Sequence, residues 1–161
     1  MQPFVTCLWF DAEAEEAARF YTQLFPGSKL GAVTPYAADS PGGKKAGDVM
    51  TVEFEINGQK FLGLNGGPMF RFTEAISVQV VCKDQAEIDR YWDAIVGNGG
   101  EEGPCGWCKD RWGLSWQITP EQLPKLLRPD NPARARAATD AFMGMKKLDI
   151  AAIEAAAQAA A

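Results

Sequence analysis

The sequence predicts an α+β protein in which two βαβββ modules follow one another and are succeeded by C-terminal helices. Three observations carry this prediction. An apolar strand pattern leading into an amphipathic helix occurs twice, so that Phe20-Tyr21 of the first copy falls on Tyr91-Trp92 of the second. Three short strand patterns separated by turns follow each helix. Beyond residue 119 the pattern is helical and rich in alanine.

The first module is predicted over residues 4–68. Residues 5–10 are mostly apolar, as is typical of a buried strand. Apolar positions across 14–25 recur at helical spacing, and Pro26-Gly27 ends that helix. Strands are predicted at 29–36, 49–56 and 60–64, the last two joined by Asn57-Gly58, which is typical of two-residue hairpins.

The second module is predicted over residues 75–119. Its first strand occupies 76–81, and Asp84 followed by Glu87 resembles a capping box that begins a helix. That helix ends at the glycine-rich segment 97–100. Shorter strands are predicted at 101–102, 106–109 and 114–119, and Lys109-Asp110-Arg111 is interpreted as a turn with solvated charges.

Residues 120–161 form the helical tail. Its helical pattern is broken at 129–132, and Asp149 is positioned to cap a last alanine-rich helix. A helix whose apolar side is mostly alanine buries little area by itself, so we expect the tail to dock either on this domain or on a second subunit. The whole chain, 1–161, is predicted to be a single domain.

The composition excludes several classes of partner and site. The net charge is −5, whereas proteins that hold a nucleic-acid backbone rely on clustered Lys and Arg. No secretion signal is recognised and no run approaches the roughly 20 apolar residues that span a membrane, which predicts a cytoplasmic protein. Histidine is absent, which removes His-based acid–base catalysis and His-containing metal sites. The four cysteines are expected to be reduced thiols.

Several segments together resemble the PhnB-like branch of the vicinal oxygen chelate superfamily, which includes glyoxalase I and the extradiol dioxygenases. The branch is often labelled 3-demethylubiquinone-9 3-methyltransferase in bacterial genomes, but no Gly-rich strand-to-helix turn for a nucleotide-like cofactor occurs in the sequence. The resemblance covers nearly the whole chain and is carried by Leu8-Trp9-Phe10-Asp11, Phe25-Pro26-Gly27-Ser28, residues 61–68, Cys105-Gly106-Trp107, Lys109-Asp110, residues 113–118 and residues 145–150.

The resemblance implies curled mixed sheets around a cavity, and a homodimer. In the superfamily four side chains of the two modules hold a divalent metal, and their positions fall here on Thr6, Leu64, Ser77 and Gln117. These residue types are poor ligands, because divalent sites use imidazole, thiolate or carboxylate, or several oxygens around a hard ion. No metal and no other cofactor is therefore expected, and a small organic molecule is the expected partner.

Strand alternation predicts which side chains line the cavity. The resemblance implies that Thr6, Leu64, Ser77 and Gln117 lie at the cavity, and alternation in the strand of Ser77 adds Gln79. Leu8 and Trp107 are further expected binding residues. Glu53 is the candidate catalytic residue, on the face opposite Val52 and Phe54. One interpretation is that Glu53 and Glu55 face water, as one face of an antiparallel sheet often does. The other is that Glu53 is a carboxylate with a raised pKa, able to act as a general base or to bind a cation.

Cys105-Gly106-Trp107-Cys108 is a C-x-x-C sequence, which in other proteins is a redox pair or half of a metal site. Here it is predicted in a hairpin rather than at a helix N-terminus, which favours a structural role. Three function classes remain open: a binding protein with a metal-free cavity, a metal-independent enzyme that uses a cavity carboxylate, and a thiol-redox protein using Cys105 and Cys108. Whether the protein is an enzyme is left open.

Overall fold

The structure, a computed structural model, describes residues 4–128 and 130–160. The chain divides into two compact units, a first unit up to Phe72 and a second unit from Thr73 onwards. Each unit contains one βαβββ module, and the second unit also holds the C-terminal helices. The α+β class with tandem modules is confirmed. None of the helices in this part of the chain combines the length and apolarity needed to cross a membrane.

The first unit is a four-stranded mixed sheet with one helix. Its strand order is β1-β4-β3-β2, with β1 parallel to β4 and the other neighbours antiparallel. The strand bounds agree with the sequence predictions to within one residue at almost every end. The elements are β1 (Thr6–Phe10), α1 (Ala14–Leu24), β2 (Lys29–Pro35), β3 (Val49–Ile56) and β4 (Gln59–Asn65).

Helix α1 begins where Asn65 caps it from the end of β4. The Asn65 side-chain oxygen accepts a hydrogen bond from the Ala14 amide at 2.8 Å, and its Nδ2 donates to the Val49 carbonyl at 3.0 Å. Asn65 is 3% exposed, so both groups find their partners inside the protein. The buried stripe of α1, which includes Tyr21, packs on β3, whose Phe54 faces it. This packing leaves the opposite face of the sheet uncovered by α1.

The second unit repeats this arrangement in the strand order β5-β8-β7-β6, with β5 parallel to β8. Asp84 accepts a hydrogen bond from the Glu87 amide at 2.9 Å, which confirms the predicted cap. Glu87 in turn accepts from the Lys83 amide, one residue before the cap. The elements are β5 (Ser77–Cys82), α2 (Gln85–Gly97), β6 (Glu101–Glu102), β7 (Trp107–Lys109) and β8 (Ser115–Pro120).

Asp110 is buried in the β7–β8 turn, where it is 3% exposed. The prediction that it is a turn residue with a solvated charge is therefore wrong. The Asp110 carboxylate accepts hydrogen bonds from the Trp112 and Leu114 amides, each at 3.0 Å, and from Trp116 Nε1 at 2.9 Å. A charged residue can be buried when N–H donors surround it in this way. Asp110 therefore fixes the turn that leads into β8.

The tail forms three helices with a small core of their own. They are α3 (Leu123–Leu126), α4 (Pro132–Met143) and α5 (Ile150–Ala159). Asp149 caps α5 by accepting from the Ala152 amide at 3.0 Å, as predicted. Within the second unit the tail docks on the βαβββ module, which is the first of the two alternatives left open by the sequence. The tail core consists of Leu126, Ala138, Leu148, Ile153 and Ala157.

Candidate functional site

A cavity of about 710 Å³ lies in the second unit, between the open face of its sheet and the C-terminal helices. Ligand pockets in proteins typically measure about 300–1,000 Å³, so the size suits a small organic molecule. Neutral polar and charged side chains line part of the cavity, and larger apolar ones line the rest. The sheet contributes Gln79, Trp107, Ser115, Gln117 and Thr119, and the tail contributes Leu123, Phe142 and Met143.

Strand register explains why these side chains share one face. Gln79 on β5, Gln117 on β8 and Trp107 on β7 are direct cross-strand neighbours, so their side chains project to the same side. The intervening residues, such as Trp116 and Ile118, are buried on the side of α2. The structure thus places Gln79, Gln117 and Trp107, three of the predicted binding residues, along one cavity.

Ser115 lies on the same face, and its hydroxyl forms no hydrogen bond with the described residues. It is 1% exposed, and its Oγ has no hydrogen-bond partner among the described residues. Its cross-strand neighbour Ser77 differs, since Ser77 Oγ accepts a hydrogen bond from Gln117 Nε2 at 2.8 Å. A buried hydroxyl without a partner costs stability. The buried Ser115 hydroxyl therefore lowers the stability of the folded protein.

Charged side chains lie at the rim of the cavity in pairs. Lys109 forms an ion pair with Glu74, and the hydrogen bond between them raises the pKa of Lys109 and lowers the pKa of Glu74. Glu102 accepts a hydrogen bond from Lys146 at 2.9 Å, which lowers the pKa of Glu102. These groups are ionised at neutral pH. Since the pairs are exposed, they add little stability, and the rim is polar around an apolar interior.

Two cysteines of the second unit have separate surroundings. Cys108 is 2% exposed, and burial raises the pKa of its thiol to about 12. Cys105 lies in the turn before β7 with a left-handed φ of 58°, and its Sγ is 3.3 Å from Met143 Sδ. A redox pair needs a thiolate and a helix N-terminus or a cation to stabilise it. The turn location predicted from the sequence is confirmed, and the burial of Cys108 disfavours the thiol-redox alternative.

Predicted site residues of the first unit divide between the two faces of its sheet. Leu8 is 4% exposed in the core beneath α1, and alternation places Thr6 on that same face. Leu64 and Glu53 belong to the other face, because Leu64 pairs with Thr51 and Glu53 with Leu62. Thr6 and Leu8 therefore do not share a face with Leu64. The positions that the resemblance implies in β1 and β4 therefore do not converge on one face of this sheet.

Glu53 is exposed on the open face of the first sheet. It lines a separate, smaller cavity of about 470 Å³ together with Lys29, Glu55 and Lys60. Glu55 forms an ion pair with Lys29 at 3.3 Å. The exposure of Glu53 agrees with the interpretation that this side chain faces water. Its assignment as a general base stays a prediction.

The residues at the superfamily metal positions do not fit a divalent ion. Thr6 and Leu64 lie on opposite faces of the first sheet, and Leu64 has no donor atom. In the second unit Ser77 and Gln117 hydrogen-bond to each other. Across residues 4–128 and 130–160, no group of three or more Cys, Asp and Glu side chains is arranged to hold a metal. We therefore derive no chemistry through a metal at these positions.

Three features of the site were not predicted from the sequence: the unpartnered Ser115 hydroxyl and the tail residues Phe142 and Met143 in the cavity wall. Alternation around Trp116 predicts that Ser115 shares a face with Gln117, as the structure shows, but no sequence signal marked its hydroxyl as unpartnered. No sequence signal marked the tail residues, since their place depends on how the helices dock. The cavity as a whole is therefore a product of tertiary packing in the second unit.

The paired βαβββ modules define a glyoxalase-like protein. Residues 2–119 match a family model described as 3-demethylubiquinone-9 3-methyltransferase. The chain belongs to this family, the PhnB-like branch of the glyoxalase superfamily.

Two solved structures illustrate the relationship. A putative 3-demethylubiquinone-9 3-methyltransferase, PhnB protein, from Bacillus cereus is 33% identical, with a TM-score of 0.64 over 74% of this chain and 99% of its own. A protein from Pseudomonas aeruginosa is 23% identical, with a TM-score of 0.60 over 75% of this chain and 98% of its own, and it supports the fold alone. No curated protein matches the chain.

Proposed function

We propose that the protein binds a small, flat organic molecule in the cavity of its second unit, without a metal ion. The observation that carries the proposal is the buried Ser115 hydroxyl, which has no partner among the described residues and belongs to a side chain that lines the cavity. A protein that only had to be stable would fill this position with alanine. A ligand that offers a hydrogen-bonding group at this point supplies the missing partner.

The cavity lining supports this ligand chemistry. Trp107, Phe142 and Met143 provide aromatic and thioether surface against which a flat ring packs. Burial of apolar surface is worth about 25 cal/mol per Å², so the affinity comes mainly from these walls. Gln79 and Gln117 provide amide groups that fix the orientation of the ligand.

Ser115 meets the ligand by a change of side-chain rotamer. In the present conformation its Oγ is shielded from solvent. Serine has three staggered χ1 positions, and rotation between them moves Oγ without moving the backbone. A ligand carbonyl or hydroxyl at the cavity floor then exchanges hydrogen bonds with Oγ. Ligand binding therefore supplies the hydrogen bond that the Ser115 hydroxyl lacks in the free protein.

A thermal-shift screen of the full chain tests the proposal. The protein, dialysed against EDTA, is screened against small aromatic metabolites and antibiotics, since a ligand of the folded state raises the melting temperature. Hits are titrated by calorimetry against the wild type and against Trp107→Ala, with Trp9→Ala of the first unit as a matched control. We expect binding that persists in EDTA and weakens in Trp107→Ala only.

Two results contradict the proposal: hits that bind only when a divalent metal is restored, and hits that bind Trp107→Ala as tightly as the wild type. The homodimer and the cytoplasmic location predicted from the sequence stay predictions. Catalysis by Glu53 also stays a prediction, since Glu53 belongs to the other cavity.

A further inference from the structure

The C-terminal extension, defined as residues 120–161, lies beyond the segment that matches the family. The family model matches residues 2–119. The Bacillus cereus relative is matched over 99% of its own length yet covers only 74% of this chain. The extension is therefore additional to what that relative needs for its fold. Its helices nevertheless bury a core, which includes Leu148 and Ile153, so it is an ordered part of the second unit.

Backbone hydrogen bonds clamp the extension to the turn before β7. The amides of Cys105 and Gly106 donate to the carbonyls of Met145 and Lys146, at 2.7 and 2.8 Å. Gly106 has a φ of 81°, and a Cβ there would lie 2.8 Å from the Ile118 carbonyl oxygen and 3.1 Å from the Leu148 side chain. Only glycine accommodates this close approach. The α4–α5 connection is thus held directly against a turn that lines the cavity.

Side chains of α2 hold the same connection from the other side. Gln85 donates to the Leu148 carbonyl and accepts from the Ile150 amide, both at 3.0 Å. Lys147 forms ion pairs with Asp89 at 3.3 Å and Asp93 at 2.7 Å, and these pairs raise the pKa of Lys147. Two independent sets of contacts therefore fix the end of α4.

This anchoring places Phe142 and Met143, the last two residues of α4, at the cavity. Met143 Sδ contacts Cys105 Sγ across the cavity wall at 3.3 Å, and the Met143 side chain is 57% exposed. We propose that Phe142 and Met143 are the specificity-determining residues of the cavity, and that the extension selects flat aromatic ligands that slide beneath them. This inference rests on the proposed binding function.

The chemistry of these two side chains supports that selection. Phe142 offers a ring to a ligand face or edge, and its other side packs on the tail core. Met143 is unbranched and polarizable, and therefore adapts to rings of different outline. We expect ligands that are bulky in all three dimensions to bind less well, because the backbone hydrogen bonds that follow α4 hold its end in place. Without the extension this edge of the cavity would be open to water.

Ligand discrimination is measured with Nile red, a flat, neutral fluorophore whose emission rises in apolar surroundings. Met143→Ala removes most of a side chain that is half-exposed, and we expect about fivefold weaker binding. Met143→Leu keeps the volume and should restore most of the affinity. Met69→Ala is the matched control, because Met69 is 77% exposed and does not line this cavity. For Phe142→Leu both the affinity for Nile red and the melting temperature are measured, since Phe142 also packs on the tail core.

A second measurement needs no ligand. In a Cys7→Ser background, the thiol reagent DTNB reports on Cys105, because burial raises the pKa of both Cys82 and Cys108 to about 12 and keeps them unreactive. We expect Met143→Ala to accelerate the labelling of Cys105 severalfold, and Met69→Ala to leave it unchanged. Nile red in saturating amount should slow labelling in the wild type.

The outcomes separate the two proposals. If Nile red fails to bind the wild type, the result counts against the proposed binding function, while the labelling rates still test the wall. If Nile red binds and Met143→Ala changes neither affinity nor labelling rate, the binding function stands and the specificity role of the extension is overturned. Unchanged labelling in Met143→Ala alone overturns the contact between Met143 and Cys105 in solution.

Discussion

Replacement of Ser115 by alanine should stabilise the free protein and weaken its binding of ligand. The hydroxyl is 1% exposed and has no partner among the described residues. A hydroxyl buried in this way costs about 1–3 kcal/mol, and the variant loses only the packing of one atom. We expect a net gain of about 1 kcal/mol, which for a chain of this size raises Tm by about 2–4 °C.

Ser77→Ala is the matched control, because Ser77 is the cross-strand neighbour of Ser115 and its hydroxyl is satisfied. Loss of its Oγ leaves Gln117 Nε2 without the acceptor it has at 2.8 Å, which should cost about 1 kcal/mol. The two serine variants should therefore shift Tm in opposite directions in differential scanning calorimetry. For a cavity ligand, Ser115→Ala should weaken binding about fivefold, equivalent to one neutral hydrogen bond. A Ser115→Ala variant that melts below the wild type, in the direction expected of Ser77→Ala, would show that the Ser115 hydroxyl is not an unpaired buried group in solution.

Three further predictions test the second unit. Asp110→Asn should cost about 2 kcal/mol or more in urea unfolding, because charge-assisted bonds to buried N–H groups are lost, whereas the exposed Asp140→Asn should be near neutral. Gly106→Ala should cost about 1–3 kcal/mol through its contact with the Ile118 carbonyl, whereas Gly97→Ala, with open space around it, should not destabilise. At pH 8 DTNB should label two of the four thiols in the native protein and all four in urea, because burial raises the pKa of Cys82 and Cys108 to about 12; four fast thiols would contradict the burial of these two.

Most of the fold was predictable because its signals are local. Helix and strand periodicities, the Asn57-Gly58 turn and the Asp84 and Asp149 caps each act within a few residues, and every one of these predictions agrees with the structure. The repeat of the pattern then specified two modules. Periodicity also identified Val52 and Phe54 as the core face of β3. Such signals need no knowledge of distant residues.

The parts that could not be predicted depend on contacts between distant residues. Charged residues flank Asp110 in the sequence, as in many solvated turns, and only the fold brings Trp116 Nε1 within hydrogen-bond distance of its carboxylate. Thr6 was assigned to the cavity from the superfamily position alone, and the pairing of β1 with β4 puts it on the face opposite to Leu64. The tail wall formed by Phe142 and Met143 requires that α4 dock at the β7 turn, which the composition of α4 does not specify.

A crystal structure of the protein with the strongest hit of the ligand screen would show where the ligand binds. We expect density for the ligand in the cavity of the second unit, with a polar group at Ser115, a ring against Trp107, and contacts with Phe142 and Met143. Density in the cavity lined by Glu53, or a ligand held through a metal ion, would show that the proposed binding site is wrong.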